Sequence, residues 1–409
     1  MEPSQRKLLA TTSLGHFVND GTNFFVPVIA ALLASGHGIF PLEITAMLAV
    51  YYASSSVLSL YVGRWADRSG KPLALMALGL ALLGIGMGGF YVSLALLSGP
   101  SGFAGAVLAS FLVGFGTSFY HPLGATLLQQ GFERKELGVV LGVNGAMGSL
   151  GRAVYPILFF LVGLALTQNS ALLVFAGAGL VSALTVGQRA PPASTPAEGI
   201  PATTTPAVPR ARTALTAGII TLTIVAFVRS AANLGIVAFL PTYMEYVRPL
   251  WSGAPLGVEV TIMYVGGIVG QPIFGLLAGR VDTRALLGLS SLGSSLTTVG
   301  FLAVTGIPAI ALIVLIGFFT FSAFPLLMSL SNEHVDRRAK SLANSMVFGL
   351  GMGIGGVLGP LVVGVLSSDR YSRLPLGFYA MAGLGIVAAC AVLAIPSAKG
   401  KRSKVPLFG

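Results

Sequence analysis

The sequence repeats itself: residues of its first half return in its second half, in the same order and at a nearly constant spacing. The paired residues include Asn19 and Asn233, Gly21 and Gly235, Pro27 and Pro241, Glu43 and Glu259, Arg64 and Arg280, Arg68 and Arg284, Gly114 and Gly317, Pro122 and Pro325, and Gly151 and Gly355. The offset between partners stays between 216 and 203 residues. Two homologous halves in the same topology are typical of secondary transporters, whose substrate site lies between the halves.

The composition places both halves in a membrane. Hydrophobic residues make up 54% of the chain, charged residues only 9%, and the mean hydropathy is +0.86. An ordinary soluble domain has about 25% charged residues, so a soluble fold is excluded. Because a spanning helix needs about 20 apolar residues, the sequence predicts an all-α membrane protein with twelve transmembrane helices. They lie near residues 9–36, 41–63, 72–98, 101–130, 136–166, 169–188, 213–244, 254–279, 284–305, 307–331, 339–367 and 374–396.

These spans form two six-helix halves, residues 1–188 and 213–409, and the second half ends in a short basic tail. Residues 189–212 are rich in Pro, Ala and Thr, which predicts an extended linker. With a cytoplasmic amino terminus, 19 of the 24 Lys and Arg lie on the inner side and three on the outer side. This asymmetry predicts that both termini and the linker are cytoplasmic in a cell membrane. The net charge of +11 therefore reflects basic loops that set the membrane orientation and contact anionic lipids. It does not indicate a nucleic-acid partner.

Two arginines lie inside predicted spans, Arg152 in the fifth and Arg229 in the seventh. A charged side chain at mid-bilayer is costly, so such residues normally face the bundle interior and mark a substrate pathway. One interpretation is that both guanidinium groups bind an anionic substrate in a central cavity. The alternative is that each arginine pairs with a carboxylate or carbonyl group and only holds helices together. Asn19, Asn233 and Tyr120 are further candidates for substrate contacts.

Asp20 is the only carboxylate deep in a predicted span, and His16 lies on the same helix face one turn earlier. A buried carboxylate can bind and release a proton, as a proton-coupled carrier requires. We therefore predict Asp20 as the proton-coupling group, with His16 and His121 as accessories. The alternative is that Asp20 forms a salt bridge with an arginine and only stabilises the bundle. Asp20 can also have both roles. The four histidines show no metal-ligand spacing, so the sequence predicts no metal site and no cofactor.

The loop after the second span contains Gly63, Asp67, Arg68, Gly70 and Lys71, followed by Pro72. This spacing resembles the signature loop of the major facilitator superfamily between spans two and three, and departs from it at Pro72. The second copy, which includes Arg280 and Arg284, has Gly279 in place of the Asp. The resemblance implies two six-helix bundles that exchange inward and outward openings, with this loop as a conformational motif. Span four carries no Arg, so the charge relay of many proton antiporters of the superfamily does not carry over.

Within that superfamily, His16, Asn19, Asp20 and Gly21, together with the run from Phe119 to Pro122, look like the fosmidomycin-resistance family of efflux carriers. This resemblance implies proton-driven export of drugs or small anionic metabolites by a carrier that is not an enzyme; we expect a monomer. The alternative is uptake of an anionic nutrient by proton symport or anion exchange. A channel is less favoured because the chain has a two-half repeat. An intramembrane enzyme is less favoured because the sequence shows no catalytic nucleophile paired with a general base. No nucleotide-binding signature indicates ATP-driven pumping.

Overall fold

The computed structural model describes residues 1–37, 39–189, 216–251, 255–278, 280–335, 343–368 and 370–396. The predicted linker, apart from Arg189, and the basic tail from residue 397 lie outside the described residues. Within these ranges the chain is almost entirely helical, and its only β pairing is an isolated bridge between Ala278 and Val281. The predicted all-α class is therefore confirmed.

The first half forms six helices: α1 (Pro3–His37), α2 (Pro41–Ser69), α3 (Pro72–Ala95), α4 (Gly99–Gly131), α5 (Arg134–Ala165) and α6 (Gln168–Gly187). The second half forms α7 (Ala217–Tyr246), α8 (Leu256–Leu277), α9 (Thr283–Ala303), α10 (Ile307–Phe321), α11 (Ala323–Glu333), a π-helix (Ser345–Met352), α12 (Gly353–Ser367) and α13 (Leu374–Ala391). The described helices overlap all twelve predicted spans.

Eleven segments of the described chain are long and apolar enough to cross a membrane. Helix α1 is not among them, although it has 35 residues. It carries His16, Asn19 and Asp20 in its middle. Because polar residues at that depth cost free energy, their place in the longest of the described helices points to function.

Two predicted spans of the second half are not continuous α-helices. Span ten ends as α10 at Phe321 and resumes as α11 at Ala323. Pro325, in the first turn of α11, has no main-chain N–H, so it cannot continue the hydrogen bonding of α10. The described part of span eleven contains the π-helix, a wider winding that often occurs at functional sites. The apolar pattern of these segments predicted their length and not their breaks.

The chain divides into two compact units. The first comprises Met1–Thr203, Pro241–Pro249 and Gly253–Thr261, and the second comprises Thr204–Leu240, Leu250–Ser252 and Ile262–Gly409. In the first unit α3 packs against α4 and α6, and α1 packs against α5. In the second unit α9 packs in the same way against α10 and α13.

Paired glycines support the repeat at the level of backbone contacts. A Cβ atom at Gly114 would overlap the carbonyl oxygen of Tyr51 on α2, and one at Gly317 would overlap the carbonyl oxygen of Met263 on α8. Small residues at such positions let helix backbones approach closely in a membrane bundle. The two glycines that are paired in the sequence repeat therefore allow the same close helix contact, each in its own unit.

Candidate functional site

Polar side chains inside the first unit surround the carboxylate of Asp20, which is only 3% exposed. His16 Nε2 lies 3.4 Å from Asp20 Oδ2, and His121 Nε2 lies 3.4 Å from Asp20 Oδ1. Arg152 Nε lies 3.9 Å from Oδ2, and the Asn19 amide donates a hydrogen bond of 3.1 Å to Oδ1. The fold thus brings together four of the predicted site residues around the predicted proton-coupling carboxylate.

Three helices supply this Asp20 cluster, which we define as His16, Asn19, Asp20, His121 and Arg152. His16 and Asp20 are four residues apart on α1, so their side chains lie on one helix face. His121 projects from α4 and Arg152 from α5. The His121 side chain is 54% exposed, whereas that of His16 is 13% exposed. The buried carboxylate is therefore covered by His16 on one side, and on the other side it lies beside a histidine that is itself half exposed.

Glycines on α5 let it approach α1 at the cluster. A Cβ atom at Gly148 would meet the imidazole ring of His16, and one at Gly151 would overlap the carbonyl oxygen of Phe17. These two residues belong to the Gly-rich stretch from Gly145 to Gly151. Close approach of the two backbones sets the short distance between Asp20 and the α5 side chains.

The His16 ring is fixed from its other side. Its Nδ1 lies 2.8 Å from the main-chain oxygen of Asn144 and 3.0 Å from Asn144 Oδ1. The ring stacks on Tyr120 with centroids 4.6 Å apart. The Tyr120 hydroxyl lies 2.9 Å from both the Thr12 carbonyl oxygen and Asn144 Oδ1. Tyr120, which the sequence suggests as a substrate contact, is thus buried and supports His16.

The Arg152 guanidinium contacts side chains of α1 and of its own helix, α5. Its Nη2 donates a hydrogen bond of 2.7 Å to Ser149 Oγ, and its guanidinium carbon lies 5.0 Å from the centroid of the Phe24 ring. Its third neighbour is Asp20. The guanidinium is therefore oriented by a hydroxyl, an aromatic face and a carboxylate, and its side chain is 12% exposed.

His16, Asp20 and His121 also place one ligand atom each within 4.8 Å of one another, a grouping that suits a metal ion. The sequence predicts no metal, because it has only four histidines and no spaced His or Cys cluster. Arg152 brings a positive charge 3.9 Å from the same carboxylate, and a like charge disfavours a bound divalent cation. A proton, which adds a single charge, suits this set of groups better.

Arg229 lies in the second unit and is 4% exposed. Its Nε donates to Ser291 Oγ at 3.1 Å, and its Nη2 donates to the carbonyl oxygens of Phe319 and Thr320 at 3.1 and 3.0 Å. These carbonyls belong to the last turn of α10, where the break at Ser322 removes helical partners. A cation at a helix carboxyl end is favourable. This geometry matches the helix-holding alternative for Arg229.

Asn233 belongs to a hydroxyl-rich network beside Arg229. Ser294 donates a hydrogen bond of 2.8 Å to Asn233 Oδ1 and lies 2.9 Å from Thr320 Oγ1. The residue after Asn233 is Leu234, so this asparagine lacks the adjacent carboxylate that Asn19 has, although the two asparagines are repeat partners. The cluster in the first unit contains a carboxylate and two histidines, whereas the network in the second unit places an arginine among neutral groups.

Neither of the two clusters includes a described side chain of the loop motif. Gly70 has φ of 63° and ends α2, a conformation that favours glycine. Arg68, Lys71 and Arg280 are exposed. The side chain of Asp67 lies outside what the structure describes.

In the second copy of the motif, Arg284 Nη2 lies 2.8 Å from Asp282 Oδ2. Hydrogen bonding to the Arg284 side chain lowers the pKa of the Asp282 carboxyl. Asp282 also caps α9 by accepting from the Arg284 main-chain N–H at 2.9 Å. This copy therefore stabilises the start of its own helix.

Sequence reasoning missed several residues of the two clusters: Asn144, Ser149, Ser291, Ser294 and Thr320. Small polar residues are frequent on membrane helices, where they bond to their own backbone, so their type alone gave no signal. For Asn144 a signal existed in its distance from Gly148, one helical turn, within the same Gly-rich stretch. No contact with α1 can be read from that spacing alone.

Known proteins resemble this chain in sequence and in fold. The sequence profile of the Major Facilitator Superfamily matches residues 12–250 and 250–407. A bacterial homologue of the human lysosomal transporter Spinster, in an inward-facing and unoccupied conformation, superposes with a TM-score of 0.77 at 14% identity, covering 97% of this chain and 98% of that chain. The xylose transporter XylE from E. coli gives a TM-score of 0.75 at 13% identity, covering 97% and 98%. At these identities the likeness shows the fold alone.

The chain belongs to the Major Facilitator Superfamily, and it is a multi-pass membrane transporter and not an enzyme. Among curated proteins it is similar to the Fosmidomycin resistance protein of Escherichia coli (strain K12), with 27% identity over 151 residues. That match covers 37% of this chain and spans about a third, 35%, of the relative's length. The family resemblance and the fold predicted from the sequence are confirmed.

Proposed function

We propose that the protein is a proton-coupled antiporter that exports a drug-like or small organic anionic compound by alternating access. The observation that carries this proposal is the buried Asp20 carboxylate between two histidines and Arg152. A carboxylate in such a place changes its charge when it binds a proton, and that charge acts directly on the adjacent guanidinium. Proton occupancy and anion binding are thereby linked through one pair of side chains.

Arg152 is the proposed principal anion-binding residue. Its planar group offers two parallel N–H donors to a carboxylate, phosphate or phosphonate, a geometry that Lys lacks. Ser149 and Phe24 hold the group in place, which lowers the entropy lost on binding. Arg229 is kept as a second candidate, together with Asn19, Asn233 and Tyr120. The bonds of Arg229 to α10 carbonyls support a structural role beside or in place of anion binding.

One observation favours the alternative, uptake of an anion by proton symport or anion exchange. At 3.9 Å, ionised Asp20 partly neutralises Arg152, so protonation of Asp20 strengthens the attraction between Arg152 and an anion. Proton and anion then favour each other, as symport requires, whereas antiport requires that they occupy the carrier in turn. The similarity to a resistance protein supports export. The sign of the pH dependence of anion affinity separates the two: affinity that rises on acidification supports symport.

A ligand screen by thermal shift tests the substrate class. Fosmidomycin, other phosphonates and carboxylates are compared with cationic and neutral compounds on the purified protein. A ligand at 100 times its Kd stabilises the folded state by about 2.7 kcal/mol, so organic anions should raise the melting temperature. Stabilisation by cations alone would exclude the proposed role of Arg152.

In the proposed topology both termini and residues 189–212 lie in the cytoplasm. A single cysteine at Thr204, in a Cys390→Ala background, should resist a membrane-impermeant thiol reagent in intact cells and react after permeabilisation. The basis is the positive-inside asymmetry of the loops. Labelling of intact cells at the rate of an outer-loop cysteine would reverse the orientation.

A further inference from the structure

The hydrogen on the His16 ring is fixed by its surroundings. Nδ1 faces the main-chain oxygen of Asn144 at 2.8 Å, and a main-chain carbonyl oxygen only accepts hydrogen bonds. Nδ1 therefore carries a hydrogen whichever way the Asn144 side-chain amide is turned. With the amide oxygen at 3.0 Å, Nδ1–H has a second acceptor on the same residue.

A hydrogen on Nδ1 determines what the other nitrogen can do. In the neutral ring Nε2 then holds a lone pair, and this lone pair faces Asp20 Oδ2 at 3.4 Å. Two acceptors facing each other in a buried place are unfavourable unless a proton lies between them. The alternative neutral ring, with hydrogen on Nε2, would donate to Asp20 without storing any charge, but it would leave Nδ1 as an acceptor against two oxygens.

We propose that Asn144 is a positioning residue, which holds His16 in the Nδ1–H form so that His16 Nε2 and Asp20 together store one transported proton. This inference rests on the proposed proton coupling at Asp20 and names the group that shares the proton. When the proton is bound, Nε2–H faces the carboxylate; when it leaves, Nε2 becomes an acceptor and Asp20 turns to its remaining donors. The two groups titrate as one unit.

The groups around His16 give the other histidine a different role. Asp20 faces it from α1, Tyr120 and His121 from α4, and Arg152 from α5. His121 contacts the opposite carboxylate oxygen and is half exposed, so it exchanges protons with water. His16 is covered and shares the stored proton with Asp20. Loss of His121 should therefore slow proton exchange, and loss of His16 should change proton occupancy at equilibrium.

Nitrogen NMR of the purified protein, labelled with ¹⁵N-histidine, tests the assignment directly. The chain has only four His, and comparison with His16→Gln identifies the His16 signals. Over a pH titration Nδ1 should remain protonated while Nε2 gains and loses its hydrogen. A neutral His16 with its hydrogen on Nε2 would overturn the proposal, whatever the transport activity.

Asn144→Leu removes the amide and keeps the main-chain carbonyl. An imidazolium that loses an acceptor is less stable, so the midpoint of the pH profile of transport should move to lower pH by about one unit. Val143→Ala, at an exposed neighbouring position on α5, is the matched control and should leave the midpoint unchanged. An unchanged midpoint in folded Asn144→Leu contradicts the positioning role of its side chain.

The two proposals fail in different ways. A fixed Nδ1–H form in a protein without proton-driven transport contradicts the proposed function alone. Proton-driven transport with a His16 ring in the Nε2–H form contradicts the role of Asn144 alone. If Asn144→Leu does not fold, the NMR titration of the unaltered protein still shows which ring nitrogen of His16 carries the hydrogen.

Discussion

Asp20→Asn should abolish substrate accumulation driven by a proton gradient while substrate-for-substrate exchange remains measurable. The Asn side chain has nearly the volume of Asp but binds no proton, so it resembles the permanently protonated state. Coupling requires that proton occupancy change during the cycle, and a group that never changes charge cannot link the two fluxes. The measurement is uptake of labelled substrate into reconstituted vesicles, with and without an imposed pH gradient.

Two comparisons make the Asp20 result specific. Glu136→Gln removes a carboxylate at the start of α5, away from the cluster, and should keep gradient-driven transport. His16→Ala and His121→Ala should change the pH profile less severely than Asp20→Asn, because the carboxylate remains. If Asp20→Asn retains full proton-driven transport, Asp20 only holds Arg152 in place and His121 becomes the next candidate for coupling.

Arg152→Gln should weaken binding of the anionic substrate by about 2 to 5 kcal/mol, or about 30-fold to several thousand-fold in Kd. Much of that loss is the cost of leaving the anion unpaired in a water-poor place. Arg152→Lys keeps the charge but loses the planar pair of donors, so it should restore affinity only in part. Binding is measured by calorimetry on folded protein, and unchanged affinity in Arg152→Gln would assign the residue to helix packing.

Arg229→Gln is the informative companion to Arg152→Gln. If Arg229 caps α10 through Phe319 and Thr320, its loss lowers the melting temperature and leaves the Kd of the remaining folded protein close to that of the unaltered protein. If Arg229 binds the anion, the Kd rises. Measuring both quantities on both variants assigns each arginine to a role.

The residues that the sequence could identify are those that break the rules of a membrane helix. Asp20, Arg152 and Arg229 are charges where charges are costly, so composition and span length alone locate them. Twelve spans and their order follow from apolar length and from the repeat. The grouping of side chains around Asp20 does not follow from the sequence, because the distance between Asp20 and His121 depends on how α1 and α4 pack.

The helix breaks and the residues that support the two clusters could not be predicted from the sequence either, because they also depend on how the helices pack. Pro325 predicts a perturbed helix, yet many membrane helices tolerate Pro, so the separate α10 and α11 could not be inferred. Asn144 is an ordinary polar residue until α5 lies against α1 and brings its carbonyl oxygen to His16. The role of Arg229 likewise depends on carbonyl groups that the helix break exposes.

The most direct test of the central claim is the proton balance of substrate binding. Substrate is added to purified protein in weakly buffered solution, and the proton release or uptake per bound substrate is measured. Linkage between Asp20 and Arg152 predicts proton exchange in the unaltered protein and none in Asp20→Asn, in which the anion still binds. Proton release accompanies antiport and proton uptake accompanies symport. Equal proton exchange in the two proteins would contradict the assignment of Asp20 as the coupling group.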